Sequence, residues 1–370
     1  MKIRFIAIFL SAVCCTLSAV QAQSPEPFRP KVGAWYFGGW SVTPDQTGHT
    51  FHISPTLTSE YADRMPEWGW REDAPGVMER QIDYAADAGL DFWGICWYET
   101  GVRKEKVFEE LNTVFDLFLT APNNRRLDFF LLSCQPVSPE SWDVFCDKSI
   151  ALFKKSNYLR VDGKPVMTFF NVQDVIRDLG GEENARKALE SYRRKARAAG
   201  VGEILLGAVT ECQGDIAFQS RFKRCGFDFL TTYNNSNTGR KHIGENDYAN
   251  LTEGDRKSWD VISACTKQLG LDFLPSMTAG YDMRPWGVDH PTLPQSDYWY
   301  TGVTPQRIAG QLETMIEWVQ THSDRILGGN LSIIYAWNEN GEGGWLTPTA
   351  SEGNARLTAI GKILNDKKKK

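Results

Sequence analysis

The chain has 370 residues, 42% of them apolar, and a formal net charge of −5. That content can bury a large core, as one barrel-sized domain or two ordinary ones, and the acidic balance offers no basic face for nucleic acid. Thirteen tryptophans are a high count for this length; indoles stack on sugar faces as well as filling cores, so a glycan partner is one reading and plain core the other.

The chain opens with the basic Met1-Lys2-Ile3-Arg4, an apolar stretch from Phe5 to Val20 and the small-residue ending Val20-Gln21-Ala22. Residues 1–22 read as a removable secretion signal, which places the mature domain, 23–366, in the periplasm or outside the cell. The apolar stretch is too short and wrongly flanked to span a bilayer, and no later segment is long and apolar enough, so no membrane span is expected. Cys14 and Cys15 fall inside the signal, where Val13 argues against lipid anchoring because a lipoprotein signal prefers a small residue there.

Eight strand-length apolar runs follow in order: Val32–Phe37, Leu90–Trp97, Leu127–Ser133, Pro165–Phe170, Glu203–Val209, Phe227–Tyr233, Asp272–Met277 and Leu331–Trp337. Helical periodicity fills the intervals at Pro75–Ala88, Lys104–Leu119, Glu140–Lys155, Glu183–Ala199, Ile216–Cys225, Asp255–Leu269, Pro305–His322 and Glu352–Leu364. Several strands are apolar at consecutive positions, as in a parallel sheet covered on both faces. Eight strand–helix pairs predict a single-domain α/β protein, a (β/α)8 TIM barrel. A doubly wound sheet is the rival, but Gly33, Gly38 and Gly39 lack the spacing of a dinucleotide loop. The longest connections, Gly38 to Asp73, Asn234 to Gly254 and Thr278 to Thr304, all follow strands and should wall the cleft. Lys367 to Lys370 read as a solvated basic tail.

Six cysteines remain after the signal, without metal-site spacing, so neither a metal nor a cofactor is expected. Cys134 with Cys146, or Cys212 with Cys225, are sequence-near disulfide candidates; buried thiols are the alternative. His49, His52 and His290 fall on the long loops as lone histidines, more in keeping with surface than with catalysis.

Polar and aromatic residues cluster where the strands end: Tyr36 with Trp35 and Phe37, then Trp97-Tyr98-Glu99, Asn171, Tyr233-Asn234 and Trp337-Asn338-Glu339. The last run continues Asn340-Gly341-Glu342-Gly343-Gly344-Trp345 and places two glutamates three residues apart among indoles. Such a pair can divide acid from base if its surroundings push the two pKa values apart, and Trp337 and Trp345 would help by excluding water. A solvated acidic turn is the plainer alternative. Glu99 reads either as a third carboxylate of the cleft or as a helix-start acid.

Longer segments carry a family resemblance. Arg71-Glu72-Asp73-Ala74-Pro75-Gly76-Val77-Met78-Glu79-Arg80-Gln81-Ile82, continuing through Ala85 to Trp97-Tyr98, resembles the first-helix and second-strand signature of the glycoside hydrolase family 99-like group, which includes endo-α-mannosidases and the WbsX-like proteins. Asn157 to Val166, Gly226-Phe227-Asp228 through Tyr233-Asn234, and Trp337-Asn338-Glu339-Asn340-Gly341-Glu342-Gly343 agree with the same group. The resemblance implies that Glu342 protonates the departing oxygen and then activates water. It implies that Glu339 acts on the sugar 2-hydroxyl, giving a 1,2-anhydro intermediate and net retention. Gly280-Tyr281-Asp282-Met283-Arg284-Pro285-Trp286 is similar to the group's Gly-Trp-Asp-x-x-Pro-Arg segment, which makes Asp282, Arg284 and Trp286 substrate contacts or, equally, an internally paired loop. The chain departs from the mannosidase pattern at Asn340-Gly341, where that pattern has aromatic and His residues, and from the WbsX-like segment at Tyr281 and Trp286, where that segment has Trp and Arg.

The expected function is that of a secreted glycoside hydrolase acting with retention on an α-linked oligosaccharide or polysaccharide, an α-mannoside among the candidates. A WbsX-like glycosyltransferase and a non-catalytic glycan-binding barrel are the alternatives. The sequence has no phosphate-binding glycine loop for a sugar nucleotide.

Overall fold

The computed structural model describes residues 28–41, 52–102, 106–135, 137–211, 214–289 and 296–369. Residues 1–22, expected as a secretion signal, and His49, Cys212, His290 and Lys370 lie outside them.

Eight parallel strands form the barrel wall: β1 Lys31–Tyr36, β2 Phe92–Trp97, β3 Asp128–Ser133, β4 Lys164–Phe169, β5 Leu205–Val209, β6 Phe229–Thr231, β7 in two pieces, Asp272–Leu274 and Ser276–Thr278, and β8 Leu331–Tyr335. Each pairs with the next, and β8 returns to β1 with Lys31 opposite Leu331. Pro275 divides β7. It has no N–H to give a ladder, so the first piece pairs with β6 and the second with β8. Helix α6, Tyr248–Leu269, reinforces this seam: buried Asp255 accepts from the Thr278 amide at 2.8 Å and Asn235 Nδ2 at 3.0 Å, and Trp259 Nε1 donates to the Ser276 carbonyl at 2.7 Å.

Alternation along the strands sends one set of side chains inward and the other toward the helices. Inside, rings fill the space that glycines leave. A Cβ on Gly94 would stand 2.5 Å from the Trp35 ring, and one on Gly33 2.2 Å from Phe92. Outside, Trp93 meets Phe118 of α2, Thr113–Thr120, and Trp97 meets Phe145 of α3, Trp142–Phe153. The remaining major helices are α1 Val77–Asp87, α4 Glu182–Ala198, α5 Ile216–Cys225, α7 Pro305–Thr321 and α8 Ala355–Lys369.

Several boundaries differ from expectation: the helix expected over Lys104–Leu119 is two, Lys106–Leu111 and Thr113–Thr120. Helix α6 starts at Tyr248 rather than Asp255, because Asp247 caps it by accepting from the Ala249 amide at 2.7 Å. Lys367 to Lys369 form the last turn of α8 instead of a loose tail, with Lys367 pairing Glu317 at 3.1 Å and Lys368 pairing Asp91 at 2.7 Å. Cys134 and Cys146 are separate buried thiols, so that candidate disulfide does not form.

Candidate active site

Just past the end of β8 the chain folds into a small hairpin. Asn338–Glu339 pairs antiparallel with Gly344–Trp345, and the single turn Asn340–Glu342 connects them. This brings two carboxylates three residues apart onto one short element. Gly343 closes the turn at φ +80°, where a Cβ would also stand 2.6 Å from the Asp282 amide, so only glycine fits.

Two tyrosines hold the carboxylates. Tyr233, two residues past β6, donates its hydroxyl to Glu339 Oε1 at 2.5 Å, and Tyr335, the last residue of β8, donates to Glu342 Oε2. Their rings pack edge to face with centroids 5.0 Å apart. Glu339 is 5% exposed and Glu342 half-buried. Burial pushes the Glu339 carboxyl well above the usual carboxylate range, the Glu342 charge pushes it further, and the Tyr233 hydroxyl opposes both. Burial also raises Glu342, opposed by Tyr335. Like charges in a poorly solvated site resist joint ionisation, which is why the Glu342 charge adds to the upward shift of Glu339.

The hairpin is anchored from behind at two points. Asn338 is fully buried; its Oδ1 accepts from the Phe37 amide at 2.7 Å, and its Nδ2 donates to the Phe37 carbonyl and to Glu72. Glu72 is itself completely buried, accepts from the Tyr36 hydroxyl at 2.8 Å, and is raised by burial to about 8. The second anchor is Arg64, 5% exposed. Its guanidinium donates to the carbonyls of Asp282 and Asn340 and forms an ion pair with the Asp282 carboxylate. The Asp282 amide in turn donates to the Glu342 carbonyl at 2.6 Å.

Of the residues expected at the site, Glu339, Glu342, Tyr233 and Tyr98 come together; Tyr98 is half-buried and close enough for the Glu339 charge to act on its hydroxyl. Asn171 and Asn234 line a hollow of about 500 Å³ that also includes Tyr233. Others are placed elsewhere. Tyr36 and Asn338 serve the buried Glu72, and Trp337 is fully buried, packing on Trp93 at 5.2 Å and donating to Gln81. Trp97 faces α3. Trp345 is covered by Arg356, whose guanidinium lies 3.7 Å from the ring centre, so it offers no open stacking face. Glu99 is no loose acid, since it pairs with Lys148 of α3 at 2.7 Å. Asp282 holds both Arg64 and Arg284, which is the internally paired alternative. Trp286 stands over the hairpin turn, with its Nε1 3.0 Å from where a Cβ on Gly341 would be. His52 is buried against Phe37 and Trp286 instead of lying on the surface.

Tyr335, Arg64 and Glu72 were not singled out from sequence. Tyr335 carried one usable signal, a hydroxyl-bearing side chain at the barrel end of β8. Glu72 sat inside a family motif without a chemical reason to separate it. Arg64 lies in an irregular loop 218 residues from Asp282 and gave none. Among the described residues no cluster of His, Cys, Asp or Glu could hold a metal ion, and no helix is long and apolar enough to cross a membrane.

Comparison with known proteins places this geometry in context. The chain is similar to a solved glycoside hydrolase-like protein, with 14% identity, a TM-score of 0.59, and 93% of this chain and 96% of that one covered. It is also similar to the GH99 endo-α-mannosidase from Bacteroides thetaiotaomicron, with 14% identity, a TM-score of 0.60, and coverage of 91% and 97%. At that identity the likeness establishes the barrel. No curated protein matches the sequence. The family model described as Glycosyltransferase WbsX matches residues 124–360, most of the barrel together with the carboxylate hairpin, and the chain belongs to that family.

Proposed function

We propose that the chain is an exported glycoside hydrolase that cleaves an α-linked glycan with retention, using Glu339 and Glu342. The observation that carries this reading is the tyrosine-held carboxylate pair, buried enough to keep a proton and set beside an open polar hollow. Burial favours the proton on Glu339 in the empty site; it passes to Glu342, the more accessible of the two, as the sugar binds, and Glu342 gives it to the departing glycosidic oxygen. Glu339 takes the proton of the 2-hydroxyl, whose oxygen bonds to the anomeric carbon as the glycosidic bond breaks, leaving a 1,2-anhydro sugar. Glu342, now ionised, takes a proton from water. The water oxygen opens the strained ring at the anomeric carbon and Glu339 returns its proton to O2. Two inversions leave the configuration retained. Retaining pairs that form a covalent glycosyl-enzyme place one carboxylate at the anomeric carbon itself, whereas here the substrate supplies the nucleophile.

The likeness to an endo-α-mannosidase barrel supports the glycosidase reading and puts α-mannosides first among substrates. The family description favours a second reading, transfer of the same glycosyl unit to a sugar hydroxyl in place of water. One experiment separates them. Product release from α-mannans, α-glucans and N-glycans is measured for wild type, Glu339→Gln and Glu342→Gln, with and without an acceptor sugar. Hydrolysis that both substitutions abolish supports the proposal. Products that form only with acceptor present support transfer, and binding that survives both substitutions without any wild-type turnover supports a glycan-binding barrel.

A further inference from the structure

Tyr233 belongs to two structures at once. Its hydroxyl holds Glu339, and the residue lines the hollow of about 500 Å³ over the ends of β4, β5 and β6. A second hollow, of about 490 Å³, lies between the loop after β6 and α6, and the two meet at Glu211, Asn234 and Asn237. Each falls within the ~300–1,000 Å³ typical of ligand sites. Together they make a trough leading away from the carboxylate pair.

The lining has a consistent chemistry. Phe170 and Phe218 are half-buried rings in the first hollow, and Phe170 packs edge-on to Tyr233 at 5.0 Å. Five carboxamides line the same trough, and in three of them, Gln173, Asn234 and Asn237, the protein has claimed the oxygen. Gln173 Oε1 accepts from Arg221 at 2.8 Å, Asn234 Oδ1 from the Ser236 hydroxyl at 2.8 Å, and Asn237 Oδ1 from the Tyr298 hydroxyl at 2.8 Å. None of the three amide nitrogens donates to a described residue. Each group is therefore oriented with its N–H donors unspent, beside apolar ring surface. The cations at the far end do not add up to an anion site: Arg240 is paired with Asp297 at 3.0 Å, and Glu211 stands in the same hollow as Lys257.

We propose that this trough is an extended binding arm for an uncharged oligosaccharide, in which sugar rings rest on Phe170 and Phe218 and their hydroxyl oxygens accept from Gln173, Asn234 and Asn237. The arm rests on the glycosidase reading for its chemistry, but not for its binding. A chain seated from the carboxylate pair to α6 has several units on one side of the scissile bond, so turnover should depend on length well beyond the reacting sugar.

The test uses a ladder of α-linked manno- and gluco-oligosaccharides from two to six units, measuring kcat/KM for turnover and Kd by titration of the full chain carrying Glu342→Gln. Each further unit seated should raise wild-type kcat/KM and tighten Kd by about threefold to tenfold, the scale of one ring-stacking contact. Phe218→Ala should remove one such step, and Asn237→Trp, which fills the junction of the two hollows, should flatten the length dependence of both quantities. Lys362→Ala, in the separate groove between α1 and α8, should change neither. Turnover without length dependence overturns the arm and leaves the glycosidase reading standing. Length-dependent binding without turnover sustains the arm and removes that reading. A ladder that neither binds nor reacts overturns both, and Asn237→Trp behaving as wild type overturns the arm alone.

Discussion

The two walls of the cleft are built differently. The β8 wall carries the carboxylate pair on a hairpin whose backbone is fixed by Arg64, Asp282 and Asn338, all at most 6% exposed, and whose turn closes on Gly343, where nothing larger fits. The wall made by the ends of β4, β5 and β6 presents Asn171, Gln173, Glu211 and Asn237, all exposed, on loops and short helices. One wall is packed like a core and the other like a surface. Chemistry that depends on sub-ångström placement belongs on the first. Recognition, which tolerates variation and exchange with water, belongs on the second.

Substitutions should therefore behave differently on the two sides. The largest effect is expected from Glu339→Gln and Glu342→Gln, each lowering kcat by about 10²–10⁴ while leaving glycan Kd near wild type; a loss of binding that matches the loss of turnover would merge the two walls into one function. Arg64→Met comes next. It leaves the Asp282 carboxylate to Arg284 alone and releases the Asn340 carbonyl, at a cost of about 1–3 kcal/mol in chemical denaturation, and Arg64→Lys should recover part of the stability and less of kcat. Full recovery of both by lysine would reduce Arg64 to a charge partner without a role in placing the hairpin.

Glu72 tests the packed wall through pH. Its carboxyl keeps a proton up to about pH 8 in the fold against 4.5 as the ordinary value. Between those values the folded chain binds more protons than the unfolded one. The stability it contributes is complete below about pH 4.5 and is lost as pH rises through 8, by a few kcal/mol. Glu72→Gln should flatten the fall in Tm across that window. An unchanged Tm profile would mean that water or a cation reaches Glu72. The smallest effect is expected on the open wall: Gln173→Ala should change stability by no more than ~0.5 kcal/mol.

This contrast also explains what could be read from the sequence. The barrel was legible because its strands are apolar on both faces and its helices are amphipathic, and the carboxylate pair because it is contiguous, from Trp337 to Trp345. What the linear pattern hid was direction. Trp35 and Cys96 point into the barrel while their neighbours Tyr36 and Trp97 point out to the helices, and a strand buried on both sides shows no polarity difference to separate them. Trp337, just past β8, likewise turned away from the cleft, to Trp93 and Gln81. The anchors were hidden for another reason: Arg64 and Asn340 are 276 residues apart in the chain and meet only because the loop after β1 folds back over the barrel end. No local spacing carries such a contact.

Gly341 and Trp286 stand far apart in sequence, yet they meet: the indole nitrogen occupies the space directly above the glycine, and Trp40 lies 3.4 Å from the same point. A larger residue at 341 collides with the indole, and a smaller one at 286 leaves a void over the turn that carries Glu342. The two positions are therefore expected to be coupled, so that substitutions at 341 and 286 made together cost less or more than the two made singly.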